Sequence, residues 1–414
     1  MTERKGAGAP SPGGGPDRPF AWRHESFGGI IASEDPPLLA FVDRQYMREL
    51  GLGESERWRE DPAEAGKGEG GDGRIGRLSA PVEVHFACTD RCSMGCAHCY
   101  MGSGAAGSRE LGTAEFKRAL GELARMGVFH VALGGGEALE RPDIFELAAH
   151  ARSVGLVPNL TTNGRLVDRE TAGRMKVFGQ VNVSLDGVGD LARVFRGGAD
   201  FESVDRALGL LLEAGVSAGI NCVVGRVNFE GLPELFRYAA GRDASEVELL
   251  RFKPSGRAVG LYSASCTTAE QNRELFPSFQ RWSEEHGVKT KIDCSFVPML
   301  CWHRPPIELL ESLCVCGCEA GNFLVGARSD GRVAGCSFLP ALELGVDRLA
   351  EAWDGSPELE RYRRWTDSAP EPCAACDYLR LCKGGCHAVA LAVSGSVDAP
   401  DPDCPWVVEH RAKG

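Results

Sequence analysis

The stretch Cys92-Ser93-Met94-Gly95-Cys96-Ala97-His98-Cys99, directly downstream of the apolar run from Pro81 to Cys88, decides how the rest of the chain is read. Three thiolates separated by three and then two residues can hold three irons of a [4Fe-4S] cluster, leaving the fourth iron open to bind and activate a small molecule. A zinc knuckle is the competing reading of the triplet, and it needs a fourth ligand such as His98 or Cys88. The run before the loop has the length and composition of a strand.

From that run onward strand-like and helix-like segments alternate. Strands are predicted at 82–88, 130–133, 157–161, 181–185, 218–224 and 247–252, with amphipathic helices at 113–126, 144–154, 201–214 and 232–240. Six βα units in series over about 170 residues predict a parallel sheet wrapped by helices, a partial barrel rather than the closed eight-unit form. Active sites of such folds lie at the carboxyl ends of the strands, which is where the cysteine loop falls.

The cysteine spacing, its place after a predicted strand and the aromatic Tyr100 resemble the signature of the radical S-adenosylmethionine (radical SAM) superfamily. The resemblance implies that the open iron chelates the amino and carboxylate groups of S-adenosylmethionine (SAM), and that one electron cleaves the sulfonium to a 5′-deoxyadenosyl radical. Leu133-Gly134-Gly135-Gly136-Glu137 resembles the motif that binds the SAM amino group, which carries that role to Gly135, Gly136 and Glu137. Taken alone, such a turn lets a backbone approach a ligand closely, or merely joins a strand to a helix. Ser184 and Asp186 share one face of the fourth strand, where the superfamily places contacts to the SAM ribose and carboxylate; a capped strand end is the plainer account. Arg196, in an Arg-Gly step that recurs in these enzymes, is suited to pairing with a carboxylate. Asn163 and Gly164 end the third strand in a similar position, and His98 stands where the superfamily packs a residue near the adenine.

The carboxyl-terminal third carries a second pattern: Cys318, Gly331, Cys336, Cys373, Cys376, Cys382, Cys386 and Cys404. This seven-cysteine order resembles the SPASM domain, the auxiliary-cluster module of peptide-maturing radical SAM enzymes. By analogy Cys373, Cys376, Cys382 and Cys404 hold one auxiliary [4Fe-4S] cluster, and Cys318, Cys336 and Cys386 hold another. The eighth ligand is Cys316, Cys314 or Cys301, or the position stays open. Zinc ribbons also use paired Cys-x-x-Cys motifs. Cys88, Cys222, Cys266 and Cys294 belong to no motif, and small apolar packing is their default role.

Composition narrows the function classes. The 414 residues, 43% apolar and 25% charged, describe a globular chain with room for two domains. A net charge of -12 without a cationic run argues against nucleic acid as a partner. Seventeen cysteines in a long chain with no secretory apolar region favour metal ligation in a reducing compartment. No apolar run reaches the roughly 18 residues of a membrane span, so the expected location is cytoplasmic and away from membranes.

The organisation expected is a disordered tail (1–19), an amino-terminal extension and linker (20–76), a partial (β/α)6 radical SAM barrel (77–310) and a SPASM iron-sulfur domain (311–414). Within the extension, Phe27–Ile31 and Leu38–Val42 read as strands separated by Asp35-Pro36-Pro37, with a helix from Arg44 to Leu50. This unit faintly resembles the start of winged-helix modules that recognise precursor peptides, and a packing extension is the simpler expectation.

Within the radical SAM/SPASM group, Arg109-Glu-Leu-Gly-Thr113, Ala124-Arg-Met-Gly-Val-Phe129, Gly134-Gly-Gly-Glu137 and Pro254-Ser-Gly-Arg257 are similar to the maturases of the mycofactocin precursor peptide, although Ala138 stands where a proline commonly follows the glutamate. The resemblance implies a radical SAM enzyme that crosslinks or decarboxylates a ribosomally made precursor peptide. Its cofactors would be SAM, the SAM-binding [4Fe-4S] cluster and two auxiliary clusters, with a flavodoxin or ferredoxin as electron donor. A radical SAM enzyme acting on a porphyrin-like small molecule would keep the same motifs. A non-catalytic iron-sulfur electron carrier would need the cysteines alone.

Overall fold

The computed structural model describes residues 20–34, 37–58, 76–107, 109–198 and 200–413. The expected tail and most of the expected linker lie outside the described residues.

Three antiparallel strands, β1 (Ala21–Glu25), β2 (Gly28–Glu34) and β3 (Pro37–Asp43), lead into helix α1 (Arg44–Glu49), whose cap Asp43 accepts from the Tyr46 amide at 2.7 Å. Pro37 opens β3 instead of ending the separator assigned to it. Strand β1 escapes the sequence pattern because its two most buried residues are charged. Arg23 and Glu25 are both 1% exposed and pair at 2.7 Å, and Arg23 also donates to the carbonyls of Ala80, Pro81 and Gly127. Hydrogen bonding of this kind offsets part of the cost of burying charge, although burial still pulls the Arg23 pKa down. Ile30 and Ala32 share a core with Leu78, Val82 and Phe129, so the small sheet packs against the amino-terminal ends of the strands that follow.

The barrel strands are β4 (Glu83–Thr89), β5 (His130–Gly135), β6 (Val157–Thr162), β7 (Val181–Ser184), β8 (Ala218–Val224) and β9 (Val247–Arg251), parallel and in sequential order. Between them run α2 (Thr113–Met126), α3 (Ile144–Ser153), α4 (Arg169–Arg174), α5 (Phe201–Glu213) and α6 (Leu232–Gly241). In α2, Phe116, Ala119, Leu120 and Leu123 recur at helical spacing, are buried against the sheet, and Gly127 closes the helix at φ 84°. The Phe116 ring stacks 4.2 Å from that of Phe86, and its removal would cost about 3–5 kcal/mol. Helix α4 is absent from the sequence prediction because Ala172 is its single buried residue.

The sheet does not stop at six strands. β10 (Thr290–Ile292) pairs parallel with β9, and β11 (Leu324–Ala327) pairs parallel with β4 on the opposite side. Antiparallel β12 (Arg332–Ala334) and β13 (Ala341–Gly345) complete ten strands, so the carboxyl-terminal third is joined to the barrel by main-chain hydrogen bonds. Among the described residues no helix is long and apolar enough to cross a membrane.

Candidate active site

The cysteine loop leaves the carboxyl end of β4 and is tied down from every side. Cys92 donates its amide to Gly104 O at 2.9 Å and Ala97 donates to Phe195 O at 2.8 Å. Glu110 accepts from the Thr89 hydroxyl and the Asp90 and Gly107 amides, and these bonds outweigh burial to hold its carboxyl below the usual range. Arg257 donates to Cys96 O at 2.8 Å and Ser103 O at 2.6 Å. Gly256 sits at φ 57° with its missing Cβ 2.5 Å from Cys99 O, so both ends of the Gly256-Arg257 step grip the loop. Neither Glu110 nor Arg257 stands out as a site residue from sequence alone, although both lie in stretches similar to the mycofactocin maturases. Cys92, Cys96 and Cys99 pack together around Met94, and burial pushes the Cys92 and Cys96 thiols up.

The glycines at the end of β5 line the cavity beside Glu137, and they also admit a close neighbour of the chain's own. A Cβ on Gly136 would lie 1.9 Å from Arg91 O, and one on Gly135, at φ 110°, would lie 2.7 Å from Thr89 O. It is therefore the backbone of the cysteine loop that comes close. The amides of Gly136 and Glu137 each donate 2.7 Å bonds into that loop, to Thr89 O and Arg91 O. Glu137, 2% exposed, accepts from the Thr162 hydroxyl (2.8 Å), the Asn163 amide (2.8 Å) and the Leu139 amide (3.2 Å). Burial still raises its pKa, so a nearby ligand ammonium would be welcome.

Ser184 and Arg196 line the cavity below the loop, whereas Asp186 does not. Both Asp186 oxygens are used internally: Arg196 binds them at 2.7 and 3.2 Å, and the Val223 amide donates to one at 2.9 Å. Asp186 is fully buried and acts as a positioning residue for Arg196, beside which Cys96 stands. His98 lies 3.7 Å from Asp186 and packs against Phe195, and burial pulls its pKa down to about 4, so it is neutral at physiological pH. Its Nδ1 and the nearby Ser103 hydroxyl are buried without partners, which fits a loop shaped for a bound group.

A cavity of about 730 Å³ runs from Cys92, Cys96 and Cys99 down the barrel to Leu38 and Leu39 on β3, an edge strand among the described residues. Among its apolar lining it carries polar strand side chains at positions where closed barrels carry branched aliphatic layers. Asn182 donates to Asn221 (2.7 Å) and Glu248 (3.2 Å), and His85 lies 3.8 Å from Glu83. Gly219 leaves the room that Asn182 and Glu246 occupy. The volume is in the range that buries a ligand of cofactor size.

Eight of the remaining cysteines fall into two groups. Cys373, Cys376, Cys382 and Cys404 line a small cavity of about 30 Å³, and Cys301 joins them through a hydrogen bond with Cys382. Cys318, Cys336 and Cys386 lie close together near the carboxyl end of β9, where Arg251 pairs with Asp401 at 2.6 and 2.9 Å. Among the described residues no three His, Cys, Asp or Glu groups converge tightly enough to clasp a single ion.

Residues 86–239 match the radical SAM superfamily. Mycofactocin maturase MftC of Mycolicibacterium smegmatis is 33% identical over 337 residues, which cover 79% of this chain and 83% of that protein. PqqA peptide cyclase of Rhodopseudomonas palustris is 30% identical over 344 residues, covering 78% and 86%. The crystal structure of Streptococcus suis SuiB bound to precursor peptide SuiA superposes with a TM-score of 0.71 over 93% of this chain and 98% of SuiB, and at 16% identity shows a shared fold. The chain is an enzyme that belongs to the radical SAM superfamily and, within it, to the peptide-maturase family.

Proposed function

We propose that the enzyme oxidatively modifies a ribosomally made precursor peptide, by crosslinking or decarboxylation. When bound, a [4Fe-4S] cluster on Cys92, Cys96 and Cys99 together with SAM supplies a 5′-deoxyadenosyl radical, which abstracts hydrogen from an unactivated carbon. Glu137 would receive the SAM ammonium, a reading supported by its lining the same cavity as Ser184 and Arg196. Asp186 holds Arg196 in place, and neutral His98 packs beside the loop without taking a proton. The two further cysteine groups would hold auxiliary clusters, which supply electron acceptance suited to an oxidative outcome.

The observation that carries this reading is the cavity itself. One end is walled by the three cysteines and the other opens beside that edge strand with half-exposed Leu38 and Leu39, an arrangement that suits an extended peptide entering from the side. A flavodoxin or ferredoxin in the cytoplasm would deliver the electron.

The test is anaerobic incubation of the iron-loaded enzyme with SAM, dithionite and a short peptide encoded beside its gene, read by mass spectrometry. Loss of two hydrogens or of a carboxylate, together with 5′-deoxyadenosine, supports the proposal. Deoxyadenosine with an unchanged peptide would redirect the search to small molecules such as porphyrins. Absence of deoxyadenosine despite loaded clusters would overturn it.

A further inference from the structure

We infer that Cys294 is the fourth thiolate of the site formed by Cys318, Cys336 and Cys386, and that the iron-sulfur cluster held there has no open iron. The inference rests on the reading that the carboxyl-terminal module carries auxiliary clusters.

The three candidates that the sequence offers for this position lie elsewhere. Cys301 belongs to the other group, packed with Cys382. Cys314 is exposed, and Cys316 faces Glu319, Lys383 and Cys314. Cys294, in contrast, has the thiols of Cys318 and Cys386 within electrostatic reach.

Two side-chain bridges fix that neighbourhood. Cys294 opens a single turn, Cys294–Phe296, capped by Asp293, which accepts from the Ser295 amide at 2.6 Å. Asp293 is gripped by Lys253, whose ammonium lies 4.3 Å above the ring of Phe338, two residues beyond Cys336. Arg251 forms the second bridge: it donates to Ser295 O at 3.0 Å and to Asp401 Oδ2 at 2.6 Å, and that same oxygen accepts the Cys386 amide at 2.9 Å. The residues beside Cys294 are thus tied both to the Cys336 loop and to the Cys386 backbone.

The charge balance agrees. Lys253 is buried and paired with Asp293, and its ammonium faces Cys294, Cys336 and Cys386 together. A fixed cation among buried thiols offsets the negative charge that ligating thiolates bring.

The test uses the full chain with Cys92, Cys96 and Cys99 replaced by alanine, so that only auxiliary iron contributes. After anaerobic reconstitution this background should carry about eight irons in two clusters. Adding Cys294→Ala should remove about four irons or produce a [3Fe-4S] signal by electron paramagnetic resonance, while Cys314→Ser and Cys316→Ser keep the parent spectrum. Unchanged iron and spectra in Cys294→Ala, or the loss appearing in Cys316→Ser, would overturn the inference. A second measurement leaves Cys294 in place: cyanide added to the reduced background protein should leave both auxiliary spectra unshifted, and a shifted spectrum would reveal an open iron and refute it. Absence of iron from the background protein would instead remove the auxiliary-cluster reading, and the inference with it.

Discussion

Replacing Gly136 by alanine tests whether the close approach of β5 to the cysteine loop matters. The added carbon would sit 1.9 Å from Arg91 O, and bringing it to the 3.0 Å below which such contacts are essentially never seen moves the loop by about 1.1 Å. The shift breaks the bonds that Gly136 and Glu137 donate to Thr89 O and Arg91 O. At about 1 kcal/mol net for each, the loss of stability should be about 2 kcal/mol. A displacement of about 1 Å at a reacting centre can slow the reaction about 100-fold. Urea unfolding of the metal-free protein reads the first effect, and deoxyadenosine formed per loaded cluster reads the second. A variant with the parent midpoint and rate would refute the reasoning, because the loop would have absorbed the methyl group at no cost. Gly121→Ala is the matched control: it lies inside α2 with nothing within 4 Å of the added carbon, and should gain up to about 1 kcal/mol from helix propensity.

Other substitutions probe the surroundings. Arg251→Met strands Asp401, which is fully buried, and should cost about 3–5 kcal/mol in urea unfolding, with partial recovery on adding Asp401→Leu. Arg257→Ala removes the charged bonds to Cys96 O and Ser103 O, and should speed iron loss to a chelator while leaving the auxiliary iron in place. His85→Phe should change the pH dependence of stability. Burial works against the imidazolium, but Glu83 outweighs it and raises the pKa above the usual value. The ion pair therefore stabilises fully below about pH 6.5, and its contribution fades as pH rises through the raised value. The parent and variant midpoints should differ most near pH 6 and draw together by about pH 9; a gap that widens with pH would contradict the assignment.

Much of the barrel was legible because its segments are strongly periodic. Thr113–Met126 and Ala218–Val224 fall where the sequence places them, since buried leucines, valines and alanines recur there at the spacing of a helix or as an unbroken strand. What the sequence concealed depends on partners far away along the chain. Arg23 and Glu25 go unmarked in the sequence because nothing local reveals the carbonyls of Ala80, Pro81 and Gly127 that receive the guanidinium. Strand β10 has only three residues, too few for alternation to register. At the site, cysteine spacing drew attention to the loop, but the roles of Glu110, Gly256 and Arg257 arise from backbone oxygens meeting in space. Cys294 has no neighbouring cysteine in sequence, so only the folded chain sets it beside Cys318 and Cys386.

The pairing of β11 with β4 also dictates an order of assembly. Val84 and Phe86 lie in a strand that keeps one open side until Val325 and Ala327 arrive, some 240 residues later in synthesis. Until then the nascent barrel exposes an unpaired edge, the kind of surface that recruits other chains. Contacts so distant in sequence form late and slowly. A fragment ending near residue 310 would keep that edge permanently, so it should aggregate where the full chain stays dispersed. The cysteine loop, which grows directly from β4, would settle into its final position only when the last third of the protein has been made.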